Sequence, residues 1–142
     1  MKVKELMTPQ VIDIDCEESV AVAARSLAHY NIGVLPVRDA SGQLCGMVTD
    51  RDIVTRCLAA GHAPEHTKVG QIMTAQVYSV QPDIDTSVAA HIMATRQIRR
   101  LPVVEAGKLQ GMISLGDLAN REETNYDAAD AFGEITSGIS RR

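Results

Sequence analysis

Aromatic residues are nearly absent from this chain: its 142 residues include no tryptophan, one phenylalanine (Phe132) and three tyrosines. A core must then be built from Val, Ile, Leu, Met and Ala, which suits thin, interdigitating layers of strands and helices. Basic residues are not in excess. A formal net charge of −4 excludes a broad nucleic-acid-binding face, since neutralising phosphates takes a surplus of Lys and Arg. Long apolar runs are missing too. Nothing approaches the roughly 18 residues that a membrane span requires, and the opening MKVKELMTP lacks the apolar centre of a secretory signal. The expectation is a cytoplasmic protein with no membrane contact. Cys16, Cys45 and Cys57 are odd in number and show no C-x-x-C spacing, so neither a disulfide framework nor a zinc site is signalled, and packing thiols are expected. With 45% hydrophobic and 23% charged residues the composition is that of a folded chain, long enough for one domain core or two small ones.

What is present is an internal repeat, exposed by sliding the sequence along itself by about 66 positions. KVKELMTPQV (residues 2–11) returns as KVGQIMTAQV (68–77). Leu35-Pro36-Val37 returns as Leu101-Pro102-Val103. After one residue is lost in a turn, GMVTDRDIV (46–54) returns as GMISLGDLA (111–119).

Each half predicts the same order of elements. QVIDID and QVYSVQ alternate like short strands. Helices follow, with apolar Val20, Ala23, Ala24 and Leu27 in one and Val88, Ala89, Ile92 and Met93 in the other. VLPV, a turn at DASG, and QLCGMVT predict a hairpin. DRDIVTRCLAAG predicts a helix capped at its end by Gly61. The order is strand, helix, strand, strand, helix, an α/β (α+β) class. A half of this size buries too little surface to stand alone comfortably, so the expectation is two copies packed about a pseudo-twofold axis with two equivalent clefts where they meet.

The tandem halves, with M-T near each start, h-P-V in the middle and G-h-[TS]-x-x-D at the end, resemble a stand-alone pair of cystathionine β-synthase (CBS) domains. The likeness runs from residue 2 to about residue 120 of 142. It implies two βαββα repeats (1–64 and 65–120), commonly dimerised into a flat disk, followed here by an extension (121–142). It also implies a regulatory module that senses AMP, ADP or ATP and passes its state to a partner protein. S-adenosylmethionine and NAD are the less frequent ligands.

The resemblance further implies that the motif hydroxyl, Thr49 or Ser114, contacts phosphate, while the aspartate, Asp52 or Asp117, binds ribose hydroxyls. A carboxylate has two acceptor oxygens for a cis diol, and a helix N-terminus welcomes an anion. The glycine upstream is expected to let the ligand approach the chain. Capping boxes have the same T-x-x-D and S-x-x-D signature, so capping stands as the alternative role. Arg99 and Arg100 precede Leu101-Pro102-Val103, and Arg51 lies inside the first motif. All three are expected at phosphate, with Arg99 or Arg100 serving the cleft of Asp52. Val11, Ile12, Val77, Tyr78, Pro36 and Pro102 are expected to line the base slot, with Tyr78 stacking on the purine. Arginines near the ligand favour phosphates over the cationic sulfonium of S-adenosylmethionine.

A ligand-free dimerisation or scaffold protein is the competing reading. No nucleophile elbow, H-E-x-x-H, P-loop or dinucleotide fingerprint is present, so catalysis is not expected. His29, His62, His66 and His91 form no cluster in sequence, and no metal site is expected. In the extension, Tyr126, Ala129, Phe132 and Ile135 recur every three residues, which predicts a short helix laying one stripe on a neighbour, or else a frayed end.

Overall fold

The computed structural model describes residues 1–121 and 124–140. A 3-10 turn (Val3–Glu5) and a two-residue strand, β1 (Thr8–Pro9), lead the chain. The first repeat then forms β2 (Ile14–Asp15), α1 (Val20–Tyr30), β3 (Val34–Arg38), β4 (Leu44–Thr49) and a helix. That helix begins as α2 (Asp50–Asp52) and continues with π-type turns over Ile53–Leu58. A 3-10 turn (Pro64–His66) and α3 (Val69–Ile72) lead into the second repeat, with α4 (Thr86–Arg96), β5 (Arg100–Glu105), β6 (Lys108–Ser114) and α5 (Leu115–Ala119). Helix α6 (Asn125–Ser140) closes the chain.

The class is the mixed α/β expected, with one three-stranded sheet per repeat: β2-β3-β4 and β1-β6-β5. The hairpins form as predicted, but the opening strands are shorter. Only Ile14–Asp15 of QVIDID pairs, parallel to β3, and QVYSVQ contributes a single bridge, Val80 to Val103. The prolines explain the shortening. Ile14 lies opposite Val37, so the preceding position faces Pro36, which has no N–H to offer; Pro102 stands just before the bridged Val103 in the same way.

The chain divides into two compact units that differ from the two stretches of repeated sequence. One is Ile12–Val77; the other joins Met1–Val11 to Tyr78–Arg142. Each M-T segment therefore packs with the other repeat's hairpin. Thr8 pairs with Met112 of β6, and Thr74 exchanges two hydrogen bonds with Met47 of β4 (2.9 and 2.8 Å). Val3 is buried in the core containing Met93, Leu101, Ile113 and Leu118, while Val69 and Ile72 are buried with Leu27, Leu35 and Val48.

Helices α1 and α4 end alike. Asn31 and Gln97 adopt the left-handed conformation, and the next residues, Ile32 and Ile98, donate back to Leu27 and Met93 (both 3.0 Å). Gly61, at φ +81°, closes the π-type helix as expected, with His62 N–H donating to the Cys57 carbonyl (2.9 Å). The stripe on α4 departs from expectation: Ala89, Ala90, Met93 and Ala94 are buried, whereas Val88 is 46% exposed. Among the described residues no helix is long and apolar enough to cross a membrane.

The extension is a docked helix. α6 packs on α4 and α5 through Ala128, Ala131 and Ile135, a stripe at helical spacing; of the every-third-residue set only Ile135 is buried among the described residues. Tyr126 is 81% exposed and Phe132 49% exposed. A helix advances 3.6 residues per turn, so a period of three drifts off any one face. Gly133 in α6 has open space where a Cβ would stand. Gly133→Ala is expected to raise unfolding stability by about 0.5–1 kcal/mol, read from urea melts, by removing backbone freedom from the unfolded chain.

Candidate functional site

In the unit formed by residues 12–77, β4 delivers Thr49 to the N-terminus of α2. Asp52 N–H donates to Thr49 Oγ1 (3.0 Å) and Thr49 N–H donates to Asp52 Oδ2 (3.0 Å), a complete capping box. Asp52 is 8% exposed, and its other oxygen faces Arg56 Nε at 3.7 Å, one helical turn on. Sequence reasoning missed Arg56, although the i, i+4 spacing was a signal. Arg51 is exposed, and its backbone N–H is held by Asp50 Oδ1 (2.8 Å).

The other unit repeats the arrangement at the start of α5. Asp117 N–H donates to Ser114 Oγ (3.1 Å) and Ser114 N–H to Asp117 Oδ2 (2.8 Å). Among the described residues Asp117 Oδ1 has no hydrogen-bond or ion-pair partner. Here Ser114 shares a cavity of about 580 Å³ with Arg99 and Arg100, walled by Leu115 and by Asn125 and Phe132 of α6. Arg99 and Arg100 thus line the same cavity as the hydroxyl of their own repeat's motif. The Arg99 guanidinium carbon lies 5.4 Å from the centroid of Phe132, a contact the sequence did not reveal.

The upstream glycine makes room for the chain itself. A Cβ at Gly46 would stand 2.6 Å from Met73 Sδ and 2.8 Å from the Thr74 carbonyl; one at Gly111 would stand 2.5 Å from the Thr8 carbonyl. The space is taken by the chain's own M-T segment. Pro36 and Pro102 are buried, and the Pro102 carbonyl accepts from Val80 N–H (3.1 Å). Val11 and Val77 are half-buried and Ile12 is at the exposed margin. The two compact units divide between Val11 and Ile12 and between Val77 and Tyr78. Tyr78 is 45% exposed, and Arg96 already lies over its ring, 4.5 Å from the centroid.

A larger cavity, about 710 Å³, lies between α4 and α6 and is lined by Asp130 and Glu134, carboxylates that repel a phosphate ligand. No group of three or more His, Cys, Asp or Glu side chains fit to hold a metal occurs among the described residues. Cys57 is buried and Cys16 and Cys45 half-buried; burial pushes the Cys45 thiol up, away from the thiolate that reacts.

The family model for the CBS domain matches residues 3–59 and again 69–123. The CBS domain-containing protein YhcV of Bacillus subtilis is 37% identical over 134 residues, covering 94% of both chains. The crystal structure of Hypoxic Response Protein I with two coordinated zinc ions superposes with a TM-score of 0.78 at 30% identity, over 85% of this chain and 98% of that one. A CBS domain pair in complex with 5′-methylthioadenosine and S-adenosyl-L-methionine superposes with a TM-score of 0.73 at 28% identity, over 84% of this chain and 93% of that one. Both repeats are matched, and the arrangement of strands and helices is shared over most of the length: the chain belongs to the CBS-domain family and carries the domain twice.

Proposed function

We propose that this protein is a non-catalytic regulatory module that binds an adenosine nucleotide, AMP, ADP or ATP, and passes its state to a partner protein. One observation carries the reading. A hydroxyl and a carboxylate three residues apart stand at a helix N-terminus in both units, and in one of them two arginines line the same cavity as the hydroxyl. The aspartates would accept the ribose hydroxyls and the hydroxyls and arginines would receive phosphate. The related CBS pair with bound 5′-methylthioadenosine and S-adenosyl-L-methionine supports an adenosine group as the shared element. The arginines favour phosphorylated members of that class over the cationic S-adenosylmethionine and, with a phosphate bridge of its own, keep NAD in view. We place the module in the cytoplasm as a homodimer, without nucleic acid or membrane among its partners.

The second reading, a ligand-free dimerisation scaffold, draws on the complete capping boxes: both carboxylates already hold a backbone N–H. Melting curves with AMP, ADP, ATP, NAD and S-adenosylmethionine separate the two. A ligand at a hundred times its Kd is expected to stabilise the protein by about 2.7 kcal/mol, visible as a rise of several degrees in Tm. No shift and no calorimetric heat with any of them favours the scaffold. ATP hydrolysis by the pure protein would overturn the non-catalytic assignment.

A further inference from the structure

Helix α6 lies beyond the matched domain, which ends at residue 123, yet it walls the cavity that holds Ser114, Arg99 and Arg100. The ion pairs found among the described residues employ Lys2, Lys4, Arg38, Arg56, Lys68 and the N-terminus, and neither Arg99 nor Arg100. Among the described residues the cavity is lined by two arginines and no carboxylate, which suits an anion from outside. Arg99 is steadied by the Phe132 ring. Packing against a ring need not use up a guanidinium's N–H donors, which can then make the forked hydrogen bonds a phosphate accepts.

We propose that α6 is a working part of the second repeat's ligand site. Arg99, Arg100 and Ser114 receive the ligand's phosphate, and Phe132 is the positioning residue that holds Arg99 ready. This rests on the nucleotide reading above and adds to it a route for the signal. The ring serves Arg99 only while α6 is docked, so a bound phosphate and a docked helix favour one another, and by linkage the coupling runs both ways. The occupied site therefore fastens α6, the one long helix that the CBS match does not include.

Phe132→Leu keeps the apolar bulk and removes the ring from a half-exposed position, so the fold is retained. In an Asp52→Asn background, which leaves the second repeat as the stronger site, calorimetry is expected to show AMP binding two- to fivefold weaker with Phe132→Leu, and adenosine binding unchanged. Saturating AMP is also expected to slow amide exchange across α6 in the parent protein. An equal loss for AMP and adenosine would mean that the ring merely supports the fold, and an unchanged AMP affinity would mean that it positions nothing. Either overturns the proposal, as does α6 exchange indifferent to AMP. If wild-type protein takes no adenosine nucleotide, the nucleotide reading is what has failed. Inorganic pyrophosphate then tests the anion site alone: binding weakened by Phe132→Leu upholds the role of α6, and no binding or no weakening removes it.

Discussion

Gly111→Ala is expected to cost about 2–3 kcal/mol of unfolding stability, out of proportion to the addition of one methyl group. The new Cβ would stand 2.5 Å from the Thr8 carbonyl and 3.0 Å from Met7 Sδ. A flexible side chain could move aside, but the carbonyl belongs to β1, whose pairing with β6 spans only Thr8 and Pro9. Displacing it gives up that short ladder and loosens Val3, buried in the same unit. Gly46→Ala is the twin experiment, with the Thr74 carbonyl at 2.8 Å and Met73 Sδ at 2.6 Å. Urea melts check both, with Gly133→Ala as the opposite-signed control. Gly111→Ala within about 0.5 kcal/mol of the parent would mean that the leading segment does not lie on β6.

The second large effect is on binding. Asp117→Asn and Asp52→Asn are each expected to weaken nucleotide affinity at their own site by about tenfold or more, because a charge-assisted bond to the ribose becomes a neutral one. Asparagine keeps the side-chain oxygen that accepts from Ser114 or Thr49 N–H, so the cap survives and the Tm stays close to that of the parent. Asp52→Asn also gives up the 3.7 Å pairing with the half-exposed Arg56, a contact of little energetic consequence. Calorimetry with AMP reads both variants. Unchanged affinity in both would assign the carboxylates to capping alone and favour the scaffold.

The motif residues were legible because chemistry of this kind is local. A hydroxyl, two intervening residues and an aspartate at a strand-to-helix corner need only four consecutive residues, and both copies formed as read. Contacts between elements were not legible: Arg96, eighteen residues on from Tyr78 and at the end of α4, lies over the ring expected to stack on a purine. The helical stripes were half legible. Ala89 and Met93 follow from periodicity, whereas Val88 is exposed because it lies on the side of the helix that faces away from the core. Of the tail stripe Ile135 is buried, whereas Tyr126, Ala129 and Phe132 are exposed, because a period of three drifts off the face of an α-helix.

By itself the sequence determined the repeated order of elements, the hairpins, the corner motifs and the family, since propensity, turn chemistry and alternation act over a few residues and are written in both copies. Only the tertiary structure decided which copy each leading segment joins. Residues 2–11 and 68–77 are identical at six of ten positions, and the M-T pair of each lies against a hairpin glycine, Gly111 for one and Gly46 for the other. Local preference is degenerate between those two pairings. The choice falls to chain connectivity and to the burial of Val3 in one core and Val69 in the other.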